Sequence, residues 1–132
     1  DVAHNPQSIR YVMAQLQARY PRYTWHVVCG MLKDKLIRET LRPCVGRVAG
    51  WHCASLPGER GCEAEVLSNA LRDLGENTCY THSSVNAAMS AAYAQMRGQH
   101  HMGLLVFGSF HTVAAAQTYL ERTRRVESGC SS

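Results

Sequence analysis

Met102-Gly103-Leu104-Leu105-Val106-Phe107, closed by Gly108-Ser109, is the stretch on which the reading of the fold turns. Apolar residues run through it almost without a break, so it reads as a strand covered on both faces rather than one with a solvated side. Such strands belong to parallel sheets with helices above and below. Downstream, Thr112 to Arg122 reads as a last helix. Upstream, Val85, Ala88, Met89, Ala92 and Met96 recur at helical spacing, with Ser84 as N-cap and Gly98 beyond the end. Asn77 to Thr81 is a brief strand, and Glu63 through Leu74 an amphipathic helix stopped by Gly75. Trp51 to Leu56 is a short strand candidate of mixed composition. A helix is expected from near Asp34 through Ile37, Leu41, Cys44, Val45 and Val48, kinked or restarted at Pro43. Thr24 to Cys29 is β-rich and closes with Gly30. Ile9, Val12, Met13 and Leu16 belong to a first helix, begun by Asn5-Pro6 and ended by Pro21. This alternation predicts an α/β fold: a three-layer α/β/α sandwich around a mostly parallel, Rossmann-like sheet.

The 132 residues hold one domain, expected over 1–122, with 123–132 as a flexible tail. Hydrophobic residues at 45% and charged residues at 18% are an ordinary globular balance. The net charge of +4 is scattered apart from Arg122, Arg124 and Arg125, and only 8% of residues are aromatic, which argues against nucleic acid as a partner. No apolar run approaches the roughly 20 residues needed to cross a bilayer. A membrane partner is therefore not expected, and a cytoplasmic setting is. Six cysteines without a C-x-x-C pair read as small buried thiols in a reducing compartment. Seven histidines include no H-E-x-x-H, and the adjacent His100 and His101 would point to opposite faces of a strand, so no metal site is expected.

In parallel sheets, ligands gather outside the carboxyl ends of the strands. That edge should collect Gly30 to Lys35, Ser55 to Arg60, His82 to Ser84 and Gly108 to Thr112, and also Asp1 to Asn5 if a strand precedes them. Such a preceding strand is expected inside the sheet, so that a chain lacking it would carry an open slot. Asp1 and His4 offer a carboxylate for paired hydroxyls and an imidazole for stacking. Lys33 and Lys35 flank Asp34 at a helix start, where free backbone N–H groups favour anions. Gly108, Ser109 and Thr112 form a strand-to-helix turn suited to a carboxylate or phosphate. The chain has neither G-x-S-x-G nor G-x-x-x-x-G-K-[ST], so it brings no nucleophile elbow and no P-loop of its own.

Four ordered blocks, D-V-A-H-N-P, V-V-C-G-M-L-K-D-K, W-H-C-A-S-L-P-G-E-R-G and L-L-V-F-G-S-F-H-T-V-A, together resemble the carboxy-terminal domain of the bacterial folylpolyglutamate synthase/dihydrofolate synthase family, a module shared with the Mur ligases. The likeness runs to about Glu121. It implies part of an ATP-dependent amide ligase: a central P-loop domain binds ATP and Mg²⁺ and phosphorylates a dihydropteroate or folate carboxylate, and the amine of L-glutamate attacks the acyl phosphate. The resemblance places Asp1, His4 and Asn5 at ATP, and Lys35, Ser109 and His111 on the glutamate side. It assigns no role to Arg60, which reads equally well as a loop brace, and no catalytic residue to this chain alone. Where the family commonly reads K-D-K-D, this chain has Leu36 after Lys35, one carboxylate fewer. The competing readings are a stand-alone nucleotide- or amino-acid-binding module and a structural interaction domain.

Overall fold

The computed structural model describes residues 6–131. The elements in chain order are α1 (Pro6–Arg19), β1 (Thr24–Cys29), α2 (Ile37–Leu41) with a following 3₁₀ turn (Arg42–Cys44), β2 (Gly50–Ala54), α3 (Ala64–Asp73), β3 (Cys79–His82), α4 (Val85–Met96), β4 (Met102–Phe107) and α5 (Phe110–Ser131). The four strands form one sheet in the order β3-β2-β1-β4, and every neighbouring pair is parallel. The three-layer α/β architecture expected from the alternation is the one observed.

Strand parity assigns side chains to the two faces. Val27, Cys29, Trp51, Cys53, Leu105 and Phe107 point to one face and pack with Ile9 and Met13 of α1, Leu41 of α2, and Leu67 and Leu71 of α3. Val28 and Ala54 point to the other and pack with Val85, Ala88, Met89 and Ala92 of α4 and Ala116 of α5. The helix ends obey local chemistry. Ser84 Oγ accepts the Ala87 amide at 3.1 Å and caps α4. α3 ends in a Schellman turn, in which the Glu76 amide reaches Leu71 O at 2.9 Å and the Gly75 amide reaches Arg72 O at 3.0 Å. Gly75 takes φ +97° there, a backbone conformation that glycine adopts without strain.

Several expectations need correction. The apolar run of β4 does feed both cores, but it is only partly buried: it pairs with β1 alone among the described strands, so one side is an edge. β2, the strand of mixed composition, is the one buried along its whole length. The helix after β1 starts at Ile37 rather than near Asp34 and stops within two turns, because Pro43 tightens the chain into the 3₁₀ turn. Finally, β1 is paired on both sides, with β2 and with β4, and β2 is paired on both sides as well. The expected slot does not exist among the described strands, whose free edges are those of β3 and β4. α5 also continues past Arg122, where the sequence reading ended it, since no Pro or Gly interrupts it before Gly129.

Candidate functional site

The turns after β1 and β4 leave neighbouring strands at the carboxyl edge of the sheet, and they are locked to each other. Thr112 is fully buried, and its Oγ1 donates to Gly30 O at 2.7 Å. Ser109 Oγ lies 2.8 Å from Thr112 Oγ1 and accepts the Thr112 amide at 3.1 Å. Since Thr112 spends its proton on Gly30, Ser109 donates to Thr112. Ser109 is therefore the cap of α5, with its hydroxyl directed inward. Glycine is obligatory at this crossing: a Cβ on Gly108, at φ +126°, would stand 2.2 Å from Gly30 O.

The turn after β1 is braced from its other side by the turn after β2. The Lys33 amide donates to Arg60 O at 2.8 Å, the Cys62 amide donates to Met31 O at 2.9 Å, and Leu32 bridges Gly61. Arg60 Nη2 meets Asp34 Oδ2 at 3.3 Å in an exposed ion pair between these two turns. Ser55 Oγ accepts the Ala64 amide at 2.9 Å and so starts α3 from the end of β2. Lys35 and His111 are exposed on this edge, each on one of the two locked turns. The structure thus brings the turns of Lys35, Ser109 and His111 together. Asp1, His4 and Asn5 lie outside the described residues.

A second polar cluster, absent from the sequence reading, lies under α4. His52 of β2 is buried between His82 of β3, with Nδ1 to Nε2 at 3.1 Å, and Gln95 of α4, with Nε2 to Oε1 at 3.1 Å. The Gln95 oxygen accepts, so His52 carries its proton on Nε2 and takes a hydrogen bond from His82 on Nδ1. Tyr80 stacks on His52 with ring centroids 5.2 Å apart, and His26 of β1 lies 6.3 Å away. Burial lowers the pKa of His26 and His82 below the usual imidazole value and that of His52 to about 4. The Nδ1 of His26 is buried without a hydrogen-bond partner. Gly50 makes room here, since a Cβ would come within 2.9 Å of His26 Nδ1 and 3.2 Å of Gln95 Oε1. In sequence, the one available signal was His26, His52 and His82 at inward positions of three strands.

Cys29, Cys44, Cys53, Cys62 and Cys79 are free thiols. The Cys53 contact and burial push the Cys29 thiol up, while burial pushes Cys44 to about 12 and Cys79 to about 11. None of these is a thiolate at neutral pH, so they pack as small apolar groups. Among the described residues no group of three His, Cys, Asp or Glu could hold a metal ion, and no helix is long and apolar enough to cross a membrane.

The parallel α/β fold is shared with solved ligase structures. The model of the Mur ligase family's glutamate ligase domain matches residues 1–110, and this chain belongs to that family. The particular relatives are bifunctional enzymes, whose C-terminal domain this chain matches. The dihydrofolate synthase/folylpolyglutamate synthase of Escherichia coli K12 is 38% identical over 124 residues, which is 94% of this chain and 28% of that protein. The enzyme of the same name from Haemophilus influenzae is 35% identical over 86% of this chain and 26% of its own length. Among solved structures, E. coli FolC in complex with DHPP and ADP superimposes with a TM-score of 0.81 at 36% identity, covering 94% of this chain and 28% of that one. The bifunctional synthase of Yersinia pestis complexed with AMPPNP and Mn ion gives 0.77 at 36% identity, covering 92% and 28%. The chain therefore spans little more than a quarter of the length of the relatives it matches.

Proposed function

We propose that this chain is the glutamate-side domain of an ATP-dependent ligase that joins L-glutamate to dihydropteroate or folates through an acyl phosphate. The observation that carries this reading is the Thr112–Gly30 bond, which fixes the turns bearing Lys35 and His111 as one rigid unit at the ligand edge. Catalysis of a bimolecular amide formation depends heavily on holding the amine donor in place, and a pre-set pair of turns does that. Lys35 and His111 face the glutamate carboxylates, near the N-terminus of α5, whose dipole favours anions. Ser109 serves that turn as its cap. Asp1, His4 and Asn5 contact the nucleotide. Mg²⁺ would neutralise the transferring phosphoryl group. That ion and the γ-phosphate belong to a P-loop domain elsewhere in the polypeptide, in a cytoplasmic enzyme.

Two measurements test the reading. The 132-residue chain alone, given ATP, dihydropteroate and glutamate, should release no more phosphate than the buffer blank. In the full-length polypeptide, Asp1→Ala should raise KM for ATP and Ser109→Ala should raise KM for glutamate, each by roughly ten- to a hundredfold. Turnover by the isolated chain, or an Asp1→Ala effect confined to glutamate, would overturn the assignment.

A further inference from the structure

A cavity of about 730 Å³ lies on the α4–α5 side, between the end of α4, the first residue of β4 and the middle of α5. Met102 opens β4, whereas the interlocked turns follow its last residue, so this cavity and the ligand edge are at opposite ends of the strands. Tyr93 and Tyr119 form one wall as a stacked pair, with centroids 6.0 Å apart and planes at 22°. Met96 and Met102 add flexible, polarisable surface. Two guanidinium groups, those of Arg97 and Arg124, line the cavity, no carboxylate does, and neither arginine has an ion pair among the described residues.

We propose that this cavity is a binding site for a small, flat aromatic anion. The volume falls in the range of small-molecule sites. An aromatic ring would lie against the tyrosine pair and the methionine sulfurs, and its acidic group would take hydrogen bonds from the arginines. The last-turn carbonyls of α4 oppose an anion with about half a negative charge, against two full positive charges from the guanidiniums. Burial and the neighbouring Tyr119 raise the pKa of the Tyr93 phenol, so it stays neutral and adds no repulsion. The inference is independent of the ligase reading, because it uses none of the residues at the ligand edge.

The test uses two fluorescent probes with one scaffold, 1-anilinonaphthalene-8-sulfonate and the uncharged N-phenyl-1-naphthylamine, titrated into the full-length polypeptide. The sulfonate should bind at least about tenfold more tightly and should weaken as salt is raised. The double substitution Arg97→Gln, Arg124→Gln should cost the sulfonate that same factor, while binding of the neutral probe and the thermal midpoint stay unchanged. Equal binding of both probes, or a sulfonate affinity untouched by the double substitution, would overturn the proposal and leave only apolar surface. So would failure of both probes to bind up to about 1 mM, the result expected if another part of the polypeptide fills the cavity.

Discussion

The two faces of the sheet are built from different materials. Beneath α1, α2 and α3 the core is large and apolar, with Trp51, Phe107, Ile9, Met13, Leu67 and Leu71 fully buried. Beneath α4 the apolar core is smaller, with Ala54, Ala88 and Ala92 beside Val28, Val85 and Met89, and His26, His52, His82 and Gln95 form a polar layer on the same side. The first face gains its stability from area removed from water. The second includes a buried, hydrogen-bonded histidine layer in which a charged imidazole is disfavoured by lost hydration. One sheet therefore has a face held chiefly by burial and a face whose polar layer responds to pH.

The largest test of this contrast is Trp51→Ala. It removes a fully buried ring that also donates to Glu76 Oε1 at 3.2 Å, and should cost about 4 kcal/mol in chemical denaturation at neutral pH. A loss below about 1.5 kcal/mol would mean that this core collapses readily onto the gap.

Next in size is the acid response. In the unfolded chain an imidazole takes a proton near pH 6.5, whereas His52 in the fold stays neutral down to about 4. Its contribution is complete above 6.5 and lost as pH falls from there towards 4, on the order of 2 kcal/mol. The groups facing it are His26, His82, Tyr80 and Gln95, and none is an acid that could compensate a charged His52. His52→Leu should flatten the stability profile between pH 6.5 and 4. A profile as steep in the variant as in the parent would place the acid sensitivity elsewhere.

The smallest effect concerns how α4 is held over this polar layer. Ser84→Ala removes the α4 cap and should cost about 1 kcal/mol, speeding hydrogen exchange in the first turn of α4 while leaving α3 untouched. Equal acceleration in α3 would show that the two faces open as one unit.

Much of this architecture was legible in the residues. β1 and β4 match their observed bounds because β-rich runs end at glycines, and the caps of α4 and α3 follow from Ser84 and Gly75. The burial ranking of the strands was not legible. Apolarity marked β4 as covered on both faces, which says nothing of strand order: that is a tertiary property, and the sheet puts β2 inside with His52 while β4 takes an edge. Of the candidate site, the convergence of the turns bearing Lys35, Ser109 and His111 followed from the parallel-sheet rule. The inward use of Ser109 did not, because it depends on Thr112 reaching across to Gly30. The histidine layer escaped because each residue alone reads as an ordinary strand position. Only the strand register, with His26 beside Gly50 and His52 beside Tyr80, makes them a unit.

The strand order also bears on synthesis. β1 pairs with β2 through His26 and Gly50, and with β4 through Thr24 and Met102. As the chain leaves the ribosome, β1, β2 and β3 can zip together early, while the other side of β1 waits for the last strand to emerge. Closing that longer loop costs about 1 kcal/mol more chain entropy than the first pairing. Phe107, the fully buried anchor near the end of β4, thus arrives late in translation to complete a core whose other members are already present. For a nascent chain, the exposed flank of β1 is the surface most open to a wrong partner.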